Sequence, residues 1–71
     1  TGASGVSVLT AREREVFQLL AEGLSSRSIA LKLGVSLKTV EAHRRHVMEK
    51  LGITTISELV KYAIREGMVS V

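Results

Sequence analysis

Apolar residues recur along this chain at helical spacing, and the recurrence is cut into four runs. The cuts fall at Gly23-Leu24, Gly34-Val35, Gly52-Ile53 and Gly67-Met68, and proline is absent. A glycine just past a helix takes the left-handed conformation, and the apolar residue after it folds back on the last turn. The starts agree with these stops. Thr10 caps a first helix and Glu13, three residues on, closes a capping box. Ser25 or Ser26 caps a short second helix, Ser36 a third with Thr39 at the box position, and Thr55 a fourth with Glu58 as its box partner. The pattern predicts helices at about 11–22, 26–33, 37–51 and 56–66.

Each predicted helix has one apolar face. Val16, Phe17 and Leu20 form the first, flanked by Leu19 and Ala21, and Ile29, Ala30 and Leu33 form the second. Val40, Val47 and Leu51 share a side of the third, with His43 at its edge. Ile56, Leu59, Val60, Ala63 and Gly67 are the expected buried face of the fourth. The fold class is therefore all-α, a four-helix bundle over 9–71. Residues 1–8, beginning Thr1-Gly2-Ala3-Ser4-Gly5, read as a flexible linker remnant. The short second helix, the Gly34-Val35-Ser36 turn and the longer third helix have the layout of a helix-turn-helix. Ala30 supports it, because a small side chain there lets two helices approach closely.

Composition narrows the function. At 71 residues the chain makes one domain, with about 3–5 kcal/mol to expect from its core. No cysteine is present, so disulfides and thiolate metal sites are excluded. His43 and His46 lie three apart, but a structural zinc site takes four ligands and no further pair suggests itself. No metal or cofactor is expected. No apolar run nears the roughly 18 residues of a membrane span, and no signal peptide is visible, so a cytoplasmic protein without membrane contact is the expectation. An enzyme is not expected either. Aspartate is absent, no Gly-rich phosphate loop occurs, and a Ser36–His43 pairing has no acid in reach to orient it. No catalytic residue is assigned.

The net charge of +3 is unevenly placed. Residues 23–35 carry Arg27 and Lys32 with no acid. Residues 36–51 carry Lys38, Arg44, Arg45 and Lys50 against Glu41 and Glu49, plus both histidines. A positive bias over the two helices of a helix-turn-helix is the footprint expected of a nucleic-acid binder.

The third helix sharpens this. With Val40, Val47 and Leu51 inward, Lys38, Glu41, Ala42, Arg45 and Glu49 point out. A small residue in the middle of that face lets the backbone approach a grooved partner, and the major groove of B-DNA admits one helix. Arg45 can donate two parallel hydrogen bonds to guanine, Glu41 can accept from the cytosine amino group, and Ala42 can touch a thymine methyl. Lys38 can reach a base or the backbone. Arg27, Ser36, Thr39, Arg44, His46 and Lys50 suit phosphate contacts, which position a protein without reading sequence. The free amides at the helix start can add to that set. Glu41 has a second reading: at helix spacing it can simply pair with Arg44 or Arg45.

These blocks resemble a known family. Leu9-Thr10-Ala11-Arg12-Glu13-Arg14-Glu15-Val16, Leu19-Leu20-Ala21-Glu22-Gly23-Leu24-Ser25, Ile29-Ala30, Leu33, Val35-Ser36, Thr39-Val40, His43-Arg44 and Lys50-Leu51-Gly52 are similar to the LuxR-type (GerE-type) helix-turn-helix domain. The similarity is greatest to the effector domains of NarL/FixJ-class two-component response regulators, and it runs from residue 9 to 69. It implies a bacterial transcription regulator whose third helix enters the major groove of double-stranded DNA. It also implies a homodimer on a pseudo-palindromic site, paired through the fourth helix. The implied partners include a receiver or small-molecule sensor domain N-terminal to this one, and RNA polymerase. The family's base-reading positions fall on Glu41, Ala42 and Arg45, with Lys38 and Thr39 near the backbone. Many members carry lysine where this chain has Glu41, a departure that bears on the operator sequence and not on the binding mode.

On the fourth helix, Ile64 lies off the expected buried stripe, beside Val60 and Ser57. These three are the expected dimer contacts, a small apolar patch for a twin to cover. The alternative is a promoter-element reader like sigma-factor region 4, which shares Arg12-Glu13-Arg14-Glu15-Val16, Ile29-Ala30 and Thr39-Val40. The capped fourth helix after Gly52 favours the regulator.

Overall fold

The computed structural model describes residues 8–69. Of the expected linker, 1–7 lie outside the described residues. Four helices follow in order: α1 (Ala11–Ala21), α2 (Ser26–Leu33), α3 (Leu37–Leu51) and α4 (Ile56–Arg65). Each start is built as its sequence dictates. The Thr10 and Thr55 hydroxyls accept from the amides of Glu13 and Glu58, and both glutamates bond back to close capping boxes. Ser25, rather than Ser26, caps α2 by accepting from the Ser28 amide at 3.1 Å, and Ser36 caps α3 by accepting from the Thr39 amide at 3.1 Å.

The ends share one geometry. The amides of Leu24, Val35, Ile53 and Met68 each donate to a carbonyl five residues back, on Leu19, Ala30, Met48 and Ala63. Gly34 (φ +70°) and Gly52 (φ +69°) supply the left-handed residue at the two junctions that flank α3. At α1 and α4 the closure comes one residue earlier than the periodicity suggests, so Glu22 and Glu66 are caps and not helix body.

α1 is the hub, packing against α3, α4 and α2, while α2 packs on α3. Val16, Phe17, Ile29, Val40, Val47, Leu59 and Ala63 are completely buried where these faces meet. Tyr62 meets Phe17 edge-to-face with ring centroids 6.0 Å apart, and the Arg65 guanidinium lies over the Tyr62 ring. The Gln18 amide donates to the Met68 carbonyl at 3.0 Å and so ties the end of the domain to α1.

The fourth helix departs from expectation at both ends. Leu59 and Ala63 are buried and Val60 is half-buried, but Ile56 is 37% exposed and Gly67 is exposed. Ile56 is the first residue of α4, beside Leu20 and Leu24 at a shallow surface hollow. The buried stripe begins only one turn later, where α4 lies against α1.

Candidate nucleic-acid interface

The short α2, the Gly34 turn and α3 form a helix-turn-helix whose second helix is anchored from behind. Val40 and Val47 are fully buried, Leu51 is half-buried, and the His43 ring lies at their edge. Its Nδ1 is buried without a hydrogen-bond partner among the described residues, so packing holds that ring. This fixes the rotation of α3. Lys38, Glu41, Arg45 and Glu49 are exposed on its outer side, with Ala42 half-buried among them. The helix surface therefore has a low centre between charged arms. Glu41, Arg45, Met48 and Thr54 border a shallow hollow on this side.

The candidate backbone residues fall into two groups. Arg27 is exposed on α2, and Ser36 and Thr39 sit at the start of α3. The Ser36 and Thr39 hydroxyls are 2.9 Å apart and bonded to each other. Arg44 Nη1 stands 3.9 Å from Glu41 Oε1, one turn along the helix.

His46 and Lys50 lie on the flank that faces α1, and there they meet a partner the sequence did not announce. Lys50 Nζ donates to Glu13 Oε1 at 2.7 Å, and His46 Nδ1 lies 3.8 Å from Glu13 Oε2. Glu13 is the one charged side chain buried among the described residues, 5% exposed. The Lys50 hydrogen bond, then the Thr10 amide, hold its carboxyl below the usual carboxylate range, against the opposing pull of burial. The ion pair joins residues 37 apart in sequence, and no local spacing signals it. Lys50 and His46 keep 38% and 49% of their side chains exposed, so both remain open to a ligand on that flank.

On α4, Ser57 is exposed and Val60 and Ile64 are half-buried, outside the fully packed pair Leu59 and Ala63.

The fold and this face define a helix-turn-helix DNA-binding domain of the GerE/LuxR type. Residues 7–63 match the family described as bacterial regulatory proteins, luxR family, and the chain belongs to that family. It is 48% identical over 61 residues to the oxygen regulatory protein NreC of Staphylococcus aureus strain JH9, covering 86% of this chain and 28% of that protein. NreC of strain USA300 matches to the same extent. A crystal structure of full-length FixJ from B. japonicum superposes with a TM-score of 0.83 at 41% identity, over 93% of this chain and 32% of that one. The domain is thus related to response regulators of the NarL/FixJ class. It spans about a third or less of the length of these relatives.

Proposed function

We propose that this domain is the DNA-reading end of a bacterial response regulator. It places α3 in the major groove of double-stranded DNA and binds as a homodimer to a pseudo-palindromic site. The observation that carries this reading is the division of α3 into an inner side with Val40 and Val47 completely buried and an outer side with Lys38, Glu41 and Arg45 exposed around Ala42. Such a helix offers donors, an acceptor and a close backbone approach on one face. Glu41, Ala42, Arg45 and Lys38 meet base edges. Arg27, Ser36, Thr39, Arg44, His46 and Lys50 meet phosphates, the last two from the Glu13 flank. Ser57, Val60 and Ile64 of α4 face the second protomer. In the full protein a receiver or sensor domain precedes this one and governs its dimerisation, RNA polymerase is a downstream partner, and the compartment is the cytoplasm.

Selection of bound sequences from a random DNA pool tests the core of this. The expected result is a motif with two-fold symmetry and an affinity that falls steeply with salt, as released counterions require. Recovery of no preferred sequence would remove the reading. An asymmetric single site would keep α3 in the groove and remove the dimer.

A further inference from the structure

The outer face of α3 carries a carboxylate close to where phosphates would lie, and its neighbour answers that charge. Glu41 Oε1 and Arg44 Nη1 are 3.9 Å apart, with 50% and 35% of the two side chains exposed. Arg44 borders two hollows, one with Glu41 and Arg45, the other with Leu24, Ser26 and Ile56. Its side chain therefore lies along the seam between the reading face and the start of α2. Lys38 and Arg45 form no ion pair among the described residues. The adjacent arginines are therefore placed differently: Arg44 stands within ion-pair distance of Glu41 without a hydrogen bond, and Arg45 has no carboxylate partner among the described residues.

An exposed pair three residues apart contributes little to folding. Its weight changes when DNA covers the face. Displacing water lowers the local dielectric constant and strengthens the pair. A carboxylate left alone near phosphates would be repelled. A guanidinium has five donors, so it can face Glu41 on one edge and a phosphate on another.

We propose that Arg44 is the positioning residue of Glu41, holding and neutralising its carboxylate so that it accepts a hydrogen bond from a cytosine amino group. This rests on the DNA-reading function above and gives Arg44 a part in sequence choice beyond phosphate contact. Arg45 reads its own base independently.

The test uses the 71-residue chain and a site taken from the selection experiment. The position read by Glu41 is the one where Glu41→Gln erases the preference for cytosine over thymine, and Arg45→Ala marks its own position in the same way. Affinities are then measured for the parent site and for each single-base change. In the parent the cytosine preference should be about tenfold. Arg44→Gln should cut it to about twofold or less and leave the Arg45 position unaltered, with thermal melting confirming the fold. Arg44→Lys, which keeps the charge, should retain most of it. In the Glu41→Gln background, Arg44→Gln should change no base preference. If Arg44→Gln instead weakens all sites equally with the cytosine preference intact, Arg44 is a phosphate contact only, and this inference falls while the DNA-reading function stands. If Glu41→Gln shifts no position, the reading by Glu41 and its positioning by Arg44 fall together, and the Arg45 result decides whether α3 reads bases at all.

Discussion

Thr10 with Glu13 and Thr55 with Glu58 are the same local device at the starts of α1 and α4. The fold uses them differently. Glu58 is exposed, and among the described residues its carboxylate takes bonds only from Thr54 and Thr55, in its own turn. Glu13 keeps the Thr10 amide at 3.0 Å and also receives Lys50 from the far end of α3. The device at α4 starts a helix. The one at α1 starts a helix and fastens it to α3. A capping box is thus a local instruction whose tertiary weight depends on what arrives opposite it. Both ion-pair partners of the Glu13 carboxylate keep part of their side chains exposed. The pair is therefore only partly desolvated, and removing one partner should cost more than at an exposed pair and less than at a fully buried one.

Replacing each glutamate in turn gives the largest separation between the two. Glu13→Ala removes the box and the tie to α3 together and should lower unfolding free energy by about 2 kcal/mol in urea titrations. A loss no greater than that of an ordinary surface change would mean that Lys50 adds nothing. Next in size is the coupling between Glu13 and Lys50. A double-mutant cycle with Glu13→Gln and Lys50→Met should return about 1 kcal/mol; additive losses would show that the pair is not held in solution.

Acid sharpens the comparison further. Both carboxyls are held below the usual carboxylate range, Glu13 first by Lys50 and Glu58 first by the Thr54 amide. A depressed value in the folded state means that the stabilisation is complete above the unfolded value and is lost as pH falls through the folded one. Stability should therefore hold above the ordinary glutamate value, about 4.3, and be lost as pH falls below it. Glu13→Gln should flatten that decline more than Glu58→Gln does, and equal slopes would erase the distinction. The smallest effect is expected from Glu58→Ala, in the same direction as Glu13→Ala but weaker. If it proved the more damaging of the two, the contrast drawn here would be inverted.

The contrast also marks what could be read from the sequence. Helix starts and stops were legible because Thr10, Ser36, Gly34 and Gly52 act within a turn of where they stand. The two sides of α3 were legible because Val40 and Val47 lie two turns apart and only one rotation buries both. Ser25 and Ser26 could not be separated by type, since both residues suit a cap; the direction of entry into α2 decides it. Ile56 was misjudged because periodicity reports a face but not how far along the helix a neighbour extends. The Glu13–Lys50 tie was out of reach, since nothing in the spacing of two residues 37 apart brings them together. The exposure of Glu41 and Arg45 on the outer side follows from the same rotation of α3.

Among the described residues, the three junctions between helices and the end of α4 are each closed by a bond to the carbonyl five residues back. Every corner can therefore form before distant segments find each other, and few long loops must be drawn shut in the transition state. Chains organised in this way fold in about microseconds to milliseconds. A reader built from such corners regains its shape faster than most partners could trap it open.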